Sequence, residues 1–482
     1  MVAKTGSDPP PVSVAADTAP AAAGVSADTA AESTPVVKSA PDEVASIDAA
    51  DASPPDTIQP PRVARRLIVD GTSREPDHYA TLAAAAAQAN AGDTIELAFN
   101  RTEKPQRPMS IDKKLTIVAA ADYRPVLVFR PTLEDVRAGR SSMIRLGGGE
   151  VSLEGVEIQM DLSPDVEAGR WTLLEIQRTE LTLRRVVLTI RNVKPGVGGS
   201  YQQDVAFFDV RRRNNSTSAM PPVRPFNGVS TIKLYDCVVR GEAACVRSDG
   251  VEPFLMQWNN GLLATTQRLL VGGSGQSKPP QEAHIRVGLS HVTALLGQGL
   301  FYSVNDQTAP HQQVVDFNLS DCILMGEGKK PPPLVQLVGI EKSKDDFRQR
   351  VPWTGHRNFY DSFDLDRFWT FHNEKSGAEL ASISFGAWKA SFKRQDNQAT
   401  PVPPQSMVIW ERWPEAGKPV HRHVPADYVL SRSANPPLSL QPGGKDAGFV
   451  AGDLPQPAAI AEPPSATPPA PSLPDPLPAT GD

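Results

Sequence analysis

The chain has 482 residues, of which 47 are proline and 35 glycine, with a formal net charge of −6. Residues 1–61 hold two lysines against nine Asp and Glu, a net of 2 − 9 = −7, so the remainder sums to −6 + 7 = +1. A nearly neutral body argues against a duplex nucleic-acid binder, which needs a basic face to displace counterions, and against a strongly acidic metal store.

Residues 1–61 contain no aromatic residue and ten prolines. They cannot bury enough apolar surface to offset ordering, about 1–2 kcal/mol per residue, and read as a disordered acidic linker. Met1-Val2-Ala3-Lys4-Thr5 leads into Pro, Ala and Asp where a signal peptide has its apolar core, and no run reaches the ~20 apolar residues of a membrane span. The expectation is a soluble chain with no export signal and no span. Residues 62–432 form the expected folded domain, and 433–482 a disordered Pro-rich tail.

In chain order, residues 78–97 come first. Thr81 suits a helix N-cap, Leu82 with Ala85, Ala86 and Ala89 gives an apolar stripe at helical spacing, and Gly92-Asp93 ends the helix before a strand at Thr94–Leu97. Residues 111–120 and 124–129 read as further strands. Five segments then share one pattern: an apolar residue, any residue, Leu, two residues, Val or Cys, any residue, a small or branched apolar residue. They are VSLEGVEI (151–158), LTLRRVVL (181–188), IKLYDCVV (232–239), VGLSHVTA (287–294) and FNLSDCIL (317–324). Period-two alternation interrupted by two residues describes a strand, a sharp bend and another strand. Its recurrence predicts an all-β parallel solenoid whose equivalent residues stack about 4.8 Å apart. Leu153, Leu183, Leu234, Leu289 and Leu319 form one inner column in this prediction, and the two long gaps, 183–234 and 234–289, are each close to two short units. Asp236 and Asp321 fall at outward bends and Cys237 and Cys322 inside. With Cys245 the cysteines are odd in number and lack metal-ligand spacing, so they read as buried apolar side chains.

Tyr79-Ala80-Thr81-Leu82, the alanine helix, Ala91-Gly92-Asp93-Thr94-Ile95 and Lys114-Leu115-Thr116-Ile117 resemble the opening of right-handed parallel β-helices of the pectin lyase-like superfamily. With Arg-Arg-Leu-Ile-Val-Asp at 65–70, the similarity is closest to the β-helix region that accompanies some bacterial serine/threonine protein kinases, and it spans about residues 65–375. The kinase motifs are absent: there is no GxGxxGxV loop, VAIK, HRD or DFG. The resemblance implies a right-handed parallel β-helix with an N-terminal helical cap.

Pectin lyase-like chemistry needs an arginine or lysine base with clustered carboxylates for calcium, or paired carboxylates across a glycosidic bond. No such motif is found; Asp345-Asp346 lie in a polar run, and no catalytic residue, metal site or cofactor is assigned. Five residues are nominated for ligand contact. Tyr201, Asp204, Arg211 and Arg212 lie in 201–213, a carboxylate near an arginine cluster suited to a uronate, and Trp258 lies between polar residues where it could stack on a sugar. His421-Arg422-His423 has two-ligand spacing without a third ligand. The aromatic residues of 353–413 read as a packed C-terminal cap in preference to a sugar platform. The expected function is a non-catalytic recognition or sensor-like module for a polysaccharide or envelope glycan. Its alternatives are a divergent lyase or glycoside hydrolase and a structural solenoid with a protein partner.

Overall fold

The computed structural model describes residues 63–460 except 73–74, 101–103, 164–165, 167–168, 195–199, 212–227, 281–282, 329, 340–348, 392–399, 403–409, 416, 433–436 and 438–444. The expected linker 1–61, Asp345-Asp346, Arg212 and residues 461–482 lie outside the described residues. Those described belong to the compact unit Arg62–Asp482. It is all-β, with strands stacked in parallel in three columns.

The first column runs through Arg66–Val69, Thr94–Leu97, Leu115–Ala119, Gly149–Glu154, Thr179–Arg184, the first halves of Ser230–Gly241, Phe254–Thr265 and Ile285–Leu296, then Val315–Ser320 and Trp353–His356. The second takes Val126–Phe129, Glu157–Asp161, Val187–Arg191, the second halves of the three long strands, Ile323–Gly326, Phe359–Asp361 and Thr400–Val402. These two columns share one 17-stranded sheet. The third lies in a separate sheet and runs from Met109–Ile111 through Ser142–Leu146, Trp171–Ile176, Val205–Val210, Ala244–Ser248, Arg268–Gly272, Gly299–Val304 and Val335–Gly339 to Trp369–Asn373. One continuous apolar core extends from Leu67 to Trp388.

The predicted inner column is present in register: Leu153, Leu183, Leu234, Trp258, Leu289 and Leu319 are successive partners, each at most 2% exposed. Two expectations change. Leu183 pairs directly with Leu234, so the 183–234 gap is one long circuit of chain; only the 234–289 gap holds two units. Trp258, nominated for outward stacking, is 1% exposed and occupies the Leu position of the extra unit. Its indole fills the space where neighbouring units carry Cys237 and Val292. The residue there is Gly261, whose added Cβ would collide with the indole nitrogen.

The bend after each column position is a left-handed backbone residue, Gly155 with φ 69° in the first unit and then Arg185, Asp236, Asn260, His291 and Asp321 with φ between 51° and 57°. Asp and Asn tolerate this region better than most residues, so the side chains there are set by backbone geometry. Cys237 and Cys322 follow the bend and are fully buried, and burial pushes the Cys237 thiol up to about 12.

At the front, helix Leu82–Gln88 starts at Thr81, whose hydroxyl accepts from Ala84 N, and buries Leu82, Ala85 and Ala86. Small side chains let it lie close on the first strands. At the far end Trp353, Tyr360, Phe363, Phe368 and Trp369 close the stack with Phe385 and Trp388 of helix Phe385–Ser391, in edge-on contacts 5.0–5.6 Å between centroids. These side chains pack against one another over the end of the stack. Trp410 and Trp413 are not among them. They pack with Tyr428 on the outside of the second column.

The placement of all of 433–482 in an unordered tail fails for 445–460. Ala447 and Leu454 are buried against Val238, Leu262 and Ile323 of the second column, and Gly448, Phe449 and Val450 donate backbone hydrogen bonds to Asp321 O, Thr293 Oγ1 and Asn260 Oδ1. Widely spaced apolar residues do this among prolines, where composition averages them out.

Candidate functional site

The nominated residues Asp204 and Arg211 flank strand Val205–Val210 of the third column. Outward positions of that column stack Arg145, Glu175, Asp209 and Arg247 as consecutive partners. Asp209 is fully buried and accepts from three arginines: Arg170 at 2.8 Å, Arg211 Nε at 2.8 Å and Arg247 at 3.0 Å. Burial opposes its ionisation, but Arg247, Arg170 and Arg211 outweigh that and hold the carboxyl below the usual carboxylate range. Glu175, 1% exposed, takes Arg145 Nε at 3.2 Å and Gln177 Nε2 at 2.6 Å, with Arg211 at 3.8 Å. Arg247 also pairs with Asp204, and Arg170 with Asp249 at 2.6 Å.

Four arginines thus meet four carboxylates. The layering is uneven: Glu175 and Asp209 lie at the bottom, while the side chains of Arg145, Arg170 and Arg211 are 52, 28 and 25% exposed above them. Further along the same sheet Arg268 lies 4.5 Å over the Tyr302 ring and donates to Gln336 at 2.9 Å. It makes no ion pair among the described residues, and burial lowers it to about 10, still charged at neutral pH.

Of the five nominated residues, this network joins Asp204 and Arg211. Tyr201 is half-buried, its N–H bonded to Asn192 O; Arg212 lies outside the described residues, and Trp258 is in the core. Sequence reasoning saw the carboxylates and arginines of 201–213 but missed Arg145, Arg170, Glu175 and Arg247, which come from three other segments.

A second cleft, about 290 Å³, lies between the second column and the C-terminal cover. Glu242, Glu327, Trp413, Lys418 and His423 are among its lining. Glu242 accepts from Asn192 N at 2.9 Å and His421 Nδ1 at 2.8 Å. Burial, and then the Glu242 charge, raise the Glu327 carboxyl above its ordinary value. His421 and His423 are not paired ligands: His421 bonds Glu242, and His423 bonds the Tyr428 hydroxyl at 2.7 Å. No group of three or more metal-ligating side chains is found among the described residues. No helix among them is long and apolar enough to cross a membrane.

No family model matches the chain, nor does any curated protein or solved structure.

Proposed function

We propose that the three columns close into a right-handed parallel β-helix of the pectin lyase-like kind, and that the chain is a non-catalytic recognition module whose third face receives an acidic glycan. One observation carries this reading: partly exposed Arg145, Arg170 and Arg211 stand over the buried carboxylates Glu175 and Asp209. A guanidinium fixed from below loses little freedom when it binds a second carboxylate, and its planar fork suits a uronate. The same ion pairs oppose turnover. A general acid or base exchanges its proton near working pH, whereas Asp209 is held ionised by its arginines. Association with a serine/threonine kinase rests on the resemblance at 65–117 alone.

The hydrolase alternative is favoured by one place, the cleft where Glu327 is held above its ordinary value beside Glu242, with Trp413 45% exposed at the wall. A carboxyl raised by burial and by a neighbouring carboxyl is what acid catalysis of glycoside cleavage uses.

The test is calorimetric titration of the full chain with polygalacturonate. Binding should weaken as salt rises and fall at least fivefold in Arg145→Gln, the most exposed of the three arginines, measured at a temperature where circular dichroism shows the variant folded. Absence of binding to any acidic polysaccharide defeats the recognition reading. Release of new polymer ends, abolished by Glu327→Gln, replaces it with the hydrolase.

A further inference from the structure

After the single 3-10 turn Ala451–Asp453 the C-terminal cover crosses the outside of the second column, with Leu454 in extended backbone. Leu454 is 5% exposed among Val187, Val238 and Leu262. The next four residues, Pro455-Gln456-Pro457-Ala458, border a cleft of about 730 Å³ whose opposite wall is the loop Ala119–Val126 with Arg185, and which holds the 42% exposed Tyr123. At Ala458 both backbone groups are held by charged side chains of the column. The N–H donates to Glu157 Oε2 at 2.6 Å, and the carbonyl accepts from Arg240 at 3.2 Å. Glu157 and Arg240 are 6 and 2% exposed. Burying a charge is expensive unless its hydrogen bonds are met; Glu157 also accepts from Gln159 Nε2, Arg240 also donates to Thr189 Oγ1 and His423 O, and the backbone of Ala458 adds one bond to each. An apolar anchor, prolines along an aromatic-edged cleft and a main-chain clamp are the parts of a site for an extended proline-containing peptide.

The chain carries the motif twice. Leu454-Pro455-Gln456-Pro457-Ala458 recurs as Leu473-Pro474-Asp475-Pro476-Leu477. The one polar difference falls at Gln456, which is exposed, and Leu477, like Ala458, keeps the N–H that the clamp requires. Residues 447–450 are anchored just before Leu454 and deliver the first copy to the groove of its own chain at high effective concentration. Each chain therefore has one groove and two motifs. We propose that the groove is a Leu-Pro-x-Pro docking site and that residues 473–477 of a second copy of the chain enter it in exchange for 454–458, linking copies tail to groove. Such a contact is heterologous, and it closes or extends according to the rotation between copies.

The test uses a fluorescent peptide spanning residues 470–480 with the full chain and with Leu454→Asp, which weakens the resident segment. A competitor held back by a tethered segment binds better once that segment is released, so the peptide should bind Leu454→Asp at least tenfold tighter than wild type. Should Leu454→Asp lose its folded circular dichroism, Pro455→Ala/Pro457→Ala takes its place. A peptide carrying Leu473→Asp and Pro476→Ala should not compete. In sedimentation, the average mass of wild type should rise with concentration and that of full-length Leu473→Asp should not. Failure of the peptide to bind any folded variant overturns the docking site. Peptide binding by a wild-type chain that stays monomeric at all concentrations overturns the second-copy occupant.

Discussion

The second and third columns are built from the same parallel register, and strands of both are buried almost without interruption: all of Val205–Val210, and all of Val187–Arg191 but its last residue. Their outward rows are opposite in chemistry. The second presents Val187, Val238, Leu262, Ile323 and Phe359 to Val420, Tyr428, Ala447 and Leu454 of the C-terminal cover. The third presents Arg145, Glu175, Asp209 and Arg247, of which the last three are buried while Arg145 stands half-exposed over Glu175. A buried outer row therefore does not identify what covers it. One wall is stabilised by apolar area removed from water, the other by charges whose desolvation is offset only while every partner is present.

Breaking the charged wall should have the largest effect. Asp209→Ala removes the shared acceptor of Arg170, Arg211 and Arg247, and should cost about 3–5 kcal/mol in urea unfolding, the range for orphaning a buried charge. The loss depends on pH. Asp209 has a folded pKa below its unfolded one, so its stabilisation is full above the ordinary Asp value and is lost as pH falls through the folded value. The difference between wild type and variant should shrink in acid; a constant difference would count against the ion pairs as its source. Leu234→Ala, in the inner column, should cost about 2–5 kcal/mol with no such pH dependence. On the apolar wall, Tyr428→Phe deletes the hydroxyl partner of His423 and should cost about 1 kcal/mol, read as earlier proteolysis within 410–460. Glu327→Gln should be the mildest. A carboxyl raised on folding contributes stability that is complete below the ordinary Glu value and lost as pH rises through the folded one. The variant should therefore melt slightly above wild type in mild alkali and level with it in acid.

The inner column was legible because one residue type recurs at fixed offsets from a bend, and the alanine helix because cap and stripe coincide; its expected end at Gly92-Asp93 falls instead at Gln88, with Ala89 as the C-cap. The unit at 256–263, MQWNNGLL, was passed over because Trp258 and Gly261 replace both marker residues, although apolar, bulky and small side chains keep their places. The arginine network was not legible. Asp209 draws partners from 39 residues before it and 38 after it, and only the stacking of circuits makes them neighbours. Arg211 was found, yet as a free contact; its bond to Asp209 means that Arg211→Ala should lower stability, so loss of binding in that variant would not separate the two roles.

The exchange of volume between Trp258 and Gly261 restricts the order in which the chain can change. A side chain at 261 collides with the indole while Trp258 remains, and Trp258→Leu alone leaves an indole-sized gap beside Gly261. Gly261→Val alone should unfold the middle of the stack, Trp258→Leu alone should leave a cavity at about 24 cal/mol per Å³, and the double change should recover part of both losses, a coupling of opposite sign to additivity. A lineage passing between the tryptophan and leucine forms of this unit must cross the cavity, because the overpacked intermediate is closed to it.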